Sequence, residues 1–114
     1  MAEARPAVAD AQDPVLNLAV GRIVERFRPL RIILFGSRAR GEAGQWSDID
    51  LLVVLPELRD KRQTTVEILR ALSDLPIAKD IVVTSPAEIE RRGRVVGSVL
   101  RAALREGKVI YERT

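Results

Sequence analysis

The sequence predicts an α/β (α+β) fold, a small mixed β-sheet with flanking helices, in one domain of 114 residues. Three observations predict it. Four short apolar runs have strand length. The stretches between them carry apolar side chains at helical spacing. Prolines, glycines and capping residues fall at the joints.

Residues 1–12 mix alanine with Glu3, Arg5, Pro6 and Asp10, and are expected to form a flexible tail before a single domain spanning 13–114. Asp13-Pro14 is a helix start, a cap followed by proline at the first helical position. Val15, Leu18, Ala19, Ile23 and Phe27 then mark one apolar face, and Pro29 ends the helix. Leu30–Phe35 is the first predicted strand, broken by Gly36-Ser37. Arg38–Arg40 is expected to make a short helical turn, and Glu42–Gln45 a loop. Ile49–Leu55 is nearly all apolar, as in a strand buried on both faces, and Pro56 stops it.

A helix is predicted over 60–72, with Val66, Leu69 and Leu72 turned inward. Pro76 precedes a third strand, Ile77–Val83. Ser85-Pro86-Ala87-Glu88 has the order of a capping box. The helical run that follows, to about Arg105, is expected in two pieces broken near Gly93. Gly107 closes it, and Lys108–Glu112 forms a short last strand whose Tyr111 hydroxyl can stay wet.

Composition removes several kinds of chemistry. The chain has no cysteine and no histidine, which excludes disulfides, thiolate metal sites and catalysis by Ser/His or Cys/His pairs. A metal must be held by oxygen, which points to hard cations. Nineteen basic against sixteen acidic side chains leave +3, a mild excess compatible with anionic partners. The four aromatic side chains are too scattered for a base-stacking platform, so nucleic acid is not expected as a direct ligand. No signal-like segment or membrane-length apolar run is present, and a cytoplasmic protein is expected.

The chemistry concentrates at two places. Asp48 and Asp50 are two apart where the second strand opens, so both side chains leave on one face. The second and third strands, joined by a helix, should be parallel neighbours that begin at one edge. Asp80 can then stand beside the first pair. Two charges 4 Å apart repel by about 4 kcal/mol at an effective dielectric near 20. A divalent cation is the natural compensation. Mg²⁺ takes one or two carboxylates and completes its octahedron with water and phosphate oxygens. Two such ions would suit an in-line displacement at phosphorus, with Asp80 placed to accept a proton. Gly36 allows close backbone approach to an anion, Ser37 adds a hydroxyl donor, and Arg38 and Arg40 offer planar paired donors.

Gly36-Ser37, ten residues, then Asp48-Ile49-Asp50 resembles the signature of the DNA polymerase beta-like nucleotidyltransferases. The run from Gly36 to Gly41, with Ser47-Asp48-Ile49-Asp50-Leu51, resembles the minimal nucleotidyltransferase (MNT) branch, and Asp80 matches the third carboxylate of that family. The resemblance implies a polymerase beta-like nucleotidyltransferase fold and transfer of AMP from ATP. It also implies Ser37 on the β- and γ-phosphates and Asp48, Asp50 and Asp80 on Mg²⁺. MNT proteins commonly pair with a separate helical HEPN protein, often an RNase toxin, and can act as its antitoxin by adding AMP to a tyrosine. No counterpart of the helical acceptor-binding domain of larger relatives is read in this sequence, so the acceptor is expected to be held by a partner or a second copy. Two other functions compete: a non-catalytic nucleotide-binding module that neutralises a HEPN partner by occlusion, and transfer to a small-molecule hydroxyl. Outside these motifs, Arg91-Arg92-Gly93-Arg94 is a solvated helix junction or a patch for RNA or an acidic partner. Trp46 is a loop anchor or a base-stacking side chain.

Overall fold

A computed structural model describes residues 13–36, 39, 48–95 and 98–113. The elements run α1 (Pro14–Phe27), β1 (Arg31–Phe35), β2 (Ile49–Val54), α2 (Lys61–Ala71), β3 (Lys79–Thr84), α3 (Pro86–Arg92), α4 (Val99–Glu106) and β4 (Lys108–Glu112). The four strands form one mixed sheet in the order β3-β2-β1-β4. β1 pairs antiparallel with both β2 and β4, and β2 pairs parallel with β3. The expected fold class and element order are those observed. The expected tail at 1–12 and the loop at 42–45 lie outside the described residues.

Each helix begins where a side chain satisfies an orphan backbone N–H. Asp13 accepts from Leu16 N, Asp60 from Gln63 N and Ser98 from Arg101 N, each at 3.0 Å. The first helix stops as Arg28 takes a left-handed conformation (φ 50°) and its N–H reaches the Val24 carbonyl; Pro29 cannot continue the ladder.

Helices cover both faces of the sheet, as the apolar runs of β1 and β2 require. On one face Leu16, Ala19, Val20 and Ile23 of α1 and Ile68 and Leu72 close to α2 pack on Ile32, Leu34, Ile49, Leu51 and Val53. On the other, Leu100 and Ala103 of α4, with Ile89 of α3, cover Ile33, Leu52 and Val54. Each buried Leu, Ile or Val among them contributes roughly 1.5–3 kcal/mol by leaving water.

Four sequence expectations are corrected. Leu18 is 49% exposed and Val66 40% exposed, while Leu16, Val20 and Ile68 are buried in their stead; the inward stripes of α1 and α2 are rotated from those expected. Tyr111 is 2% exposed and lies in the core. Its burial follows from a register shift between Ile32 and Ile33: they pair with Tyr111 and Val109, which leaves Ile110 unopposed. A bulge of this kind lets Ile110 and Tyr111 both be covered. The capping box is half formed. Ser85 accepts from Glu88 N, but the Glu88 carboxylate accepts from Thr84 Oγ1 (2.6 Å) and Lys61 Nζ (2.9 Å). Finally, β3 begins at Lys79 rather than Ile77, because Ile77 N–H is spent on a turn to the Leu75 carbonyl.

Candidate active site

The end of β1 and the beginnings of β2 and β3 meet at one edge of the sheet. Phe35 pairs with Asp50, and Asp50 pairs with Asp80. Register partners on neighbouring strands project from the same face, with backbones ~4.8 Å apart. Asp50 and Asp80 therefore share the face covered further along by α3 and α4. Asp48 precedes Asp50 by two residues at the entry to β2, exposed to solvent. The Ile49 N–H that follows it is tied to the Ala78 carbonyl of the neighbouring chain segment at 3.0 Å. This backbone arrangement is the one expected from the two-residue spacing and the parallel crossover.

Gly36 completes the edge. Its φ is +77°, a left-handed conformation that glycine adopts freely and residues with a Cβ adopt at a cost. A Cβ built there would fall on the Asp50 carboxylate, onto Oδ2 and within 3.1 Å of Cγ. Glycine is required twice over, by the backbone and by the neighbour. The Ala39 N–H returns to the Gly36 carbonyl at 3.1 Å and closes a turn directly after β1. Ser37, Arg38, Arg40 and Trp46 lie outside the described residues.

Among the described residues no group of three His, Cys, Asp or Glu side chains stands in metal-holding geometry. The backbone brings the three aspartates to one edge; their carboxylates are not gathered onto a common point. Like charges would repel there, whereas short carboxylate side chains on adjacent rungs can turn toward a shared ion. The donor set is oxygen only, which fits Mg²⁺ and excludes softer metals that need sulfur or imidazole.

Two supports for this edge carry no local sequence signal. Lys79 Nζ donates to the Leu75 carbonyl at 2.9 Å, fixing the entry to β3 one residue before Asp80. Arg22 on α1 grips Asp74 through both guanidinium nitrogens and donates to the Ala71 carbonyl at 3.0 Å. The hydrogen bond from Arg22 holds the exposed Asp74 carboxyl down to about 2. Arg22 and Asp74 are 52 residues apart, so only the tertiary fold reveals the pair.

The family model described as a nucleotidyltransferase domain matches residues 17–110. A Methanocaldococcus jannaschii protein described as a "putative protein adenylyltransferase" is 34% identical over 87 residues, 74% of this chain and 59% of that protein. The chain thus spans less than two thirds of that relative's length. A crystal structure described as a "putative nucleotidyltransferase" from Sulfolobus solfataricus matches with a TM-score of 0.61 at 22% identity, over 87% of this chain and 78% of that one. At that identity the likeness is one of fold. Among the described residues, no helix is long and apolar enough to cross a membrane.

Proposed function

The chain belongs to the nucleotidyltransferase domain family, and from that premise we propose that it moves AMP from ATP onto a hydroxyl of a partner protein, with Mg²⁺ held by Asp48, Asp50 and Asp80. The observation that carries the reading is the register Phe35–Asp50–Asp80 beside the left-handed Gly36. It sets three acids and a turn suited to anions at one edge. Mg²⁺ bound there would supply charge compensation for the phosphate oxygens and the leaving pyrophosphate.

The protein's own groups have distinct parts. Asp50, nearest Gly36, orients the metal side of the triphosphate. Asp48 at the strand entry shares that role from the solvent side. Asp80, on the outer strand of the pair, accepts the proton of the attacking hydroxyl. Gly36 leaves room for the Asp50 carboxylate, which a Cβ would displace. Ser37, Arg38 and Arg40 follow in sequence as donors to the β- and γ-phosphates. The partner is a helical HEPN-type protein toward which this chain acts as antitoxin. Support for a protein acceptor is the description of the M. jannaschii relative together with the motif resemblance.

The dispersed carboxylates favour a second reading, in which the domain binds nucleotide and silences its partner by covering it. One experiment separates the two. The full chain is incubated with radiolabelled ATP, Mg²⁺ and the candidate partner, beside Asp48→Ala and Asp80→Asn. Label on the partner with the native chain alone supports transfer. Equal neutralisation by all three chains, with no label, supports covering.

A further inference from the structure

The positive charge of this chain is not spread over it. Residues 89–108, which hold α3's end and all of α4, carry six basic and two acidic side chains, a net +4; the remainder of the chain sums to −1. Arg91, Arg92, Arg94, Arg105 and Lys108 are exposed. Two of the four large exposed apolar side chains among the described residues also lie here, Val95 at 46% and Val99 at 54%. Ala102 is exposed one turn on from Val99. A small apolar centre ringed by arginines has the make-up of a protein-binding surface.

Its position links it to the candidate active site. α3 and α4 cover the sheet face from which Asp50 and Asp80 project. The C-terminus of α4 ends at that same edge: Gly107 lies against β1, where an added Cβ would meet Ile33 Cγ2 and come within 3.1 Å of the Leu34 carbonyl. Lys108 pairs with Leu34, the residue before Phe35, which pairs with Asp50. The end of α4 at Gly107 and the Asp50 rung are therefore about two strand spacings apart, on the order of 10 Å.

We propose that the outer face of α4, with Arg101, Arg105 and the α3 arginines around Val95 and Val99, docks an acidic surface of the acceptor protein and presents its hydroxyl at the Asp50–Asp80 edge. The proposal rests on the transfer reading above and names the chemistry of its acceptor. A second copy of the chain does not fit, because two faces of +4 would repel. Single-stranded nucleic acid is disfavoured because residues 85–108 contain no aromatic side chain on which a base could stack.

The test uses the full chain and a labelled glutamate–tyrosine random copolymer as an acidic, hydroxyl-bearing probe. Binding is followed by fluorescence anisotropy without ATP. The Arg101→Glu/Arg105→Glu variant is expected to weaken binding about ten-fold or more. The Arg62→Glu/Arg70→Glu variant, on the exposed side of α2, should stay within about two-fold. Retained binding of a fluorescent ATP analogue shows that each variant is folded. With Mg²⁺ and ATP added, the α4 variant should raise KM for the copolymer at constant kcat and constant KM for ATP.

If no chain transfers AMP but reversal on α4 still weakens binding, the docking face stands and the transfer reading fails. If the native chain transfers AMP and the α4 variant changes neither binding nor KM, the docking proposal is overturned. Tighter binding of a single-stranded RNA of equal charge, with the same sensitivity to reversal, would overturn it in favour of nucleic acid.

Discussion

The two ends of the central strands treat their carboxylates in opposite ways. Where β3 ends, Glu88 is nearly buried, and Thr84 and Lys61 supply it with short hydrogen bonds. Burial pushes its pKa up, but those hydrogen bonds outweigh it and the group sits below the usual glutamate value. Glu88 also lies in the first turn of α3, where the helix dipole favours a negative charge. Where β2 and β3 begin, Asp48 and Asp80 are exposed, register places Asp80 beside Asp50, and the Lys79 ammonium at the start of β3 donates to the Leu75 carbonyl. One edge is neutralised from within. The other gathers acidic residues where the strands open to solvent, with Asp48 and Asp80 exposed and within reach of a cation or ligand from outside.

Substitutions can break this contrast, and the largest effect is expected at the open edge. Asp50→Asn should lower nucleotidyl transfer roughly 10³-fold, the several kcal/mol a bound cation gives the transition state. Transfer assays beside thermal melts with EDTA separate this loss of chemistry from any loss of fold. Gly36→Ala should also abolish transfer. It must place a Cβ on the Asp50 carboxylate and hold alanine at positive φ, destabilising the fold by roughly 1–2 kcal/mol or more. Denaturant titration beside the transfer assay reads both effects.

The closed edge should show the reverse pattern. Glu88→Gln should destabilise by roughly 1–3 kcal/mol, because Lys61 and Thr84 lose a charged partner, while transfer by the folded fraction stays within about two-fold. Since the Glu88 pKa is lowered on folding, its stabilisation is fully present above its ordinary value of 4.5 and is lost as pH falls through the folded value. Urea midpoints of the native chain should therefore fall below about pH 4.5 more steeply than those of Glu88→Gln.

Much of this architecture is legible in the sequence, and the misses have specific causes. Caps at Asp13 and Ser85, each followed by proline, locate two helix starts because each satisfies a local backbone donor; Asp60 and Ser98 cap α2 and α4 in the same way in the structure. The nearly all-apolar run of β2 announces a central strand. The common edge of Asp50 and Asp80 follows from a two-residue spacing and a parallel crossover. Helix rotation is less legible: Leu16 and Leu18, or Val66 and Ile68, are equally apolar, and only the sheet beneath decides which is buried. Glu88 fits a capping box by spacing, yet Lys61 lies 27 residues away and outcompetes the backbone. The Arg22–Asp74 clamp and the bulge at Ile110 are likewise tertiary facts without a local trace.

The most direct test is paramagnetic broadening of assigned backbone amide signals as Mn²⁺ is added with a non-hydrolysable ATP analogue. Broadening at Gly36, Asp48, Asp50 and Asp80, lost in Asp50→Asn, with Lys61 and Glu88 left sharp, is the predicted outcome. Broadening centred on Lys61 and Glu88, or a pattern indifferent to Asp50→Asn, would contradict the assignment of the open edge as the cation site.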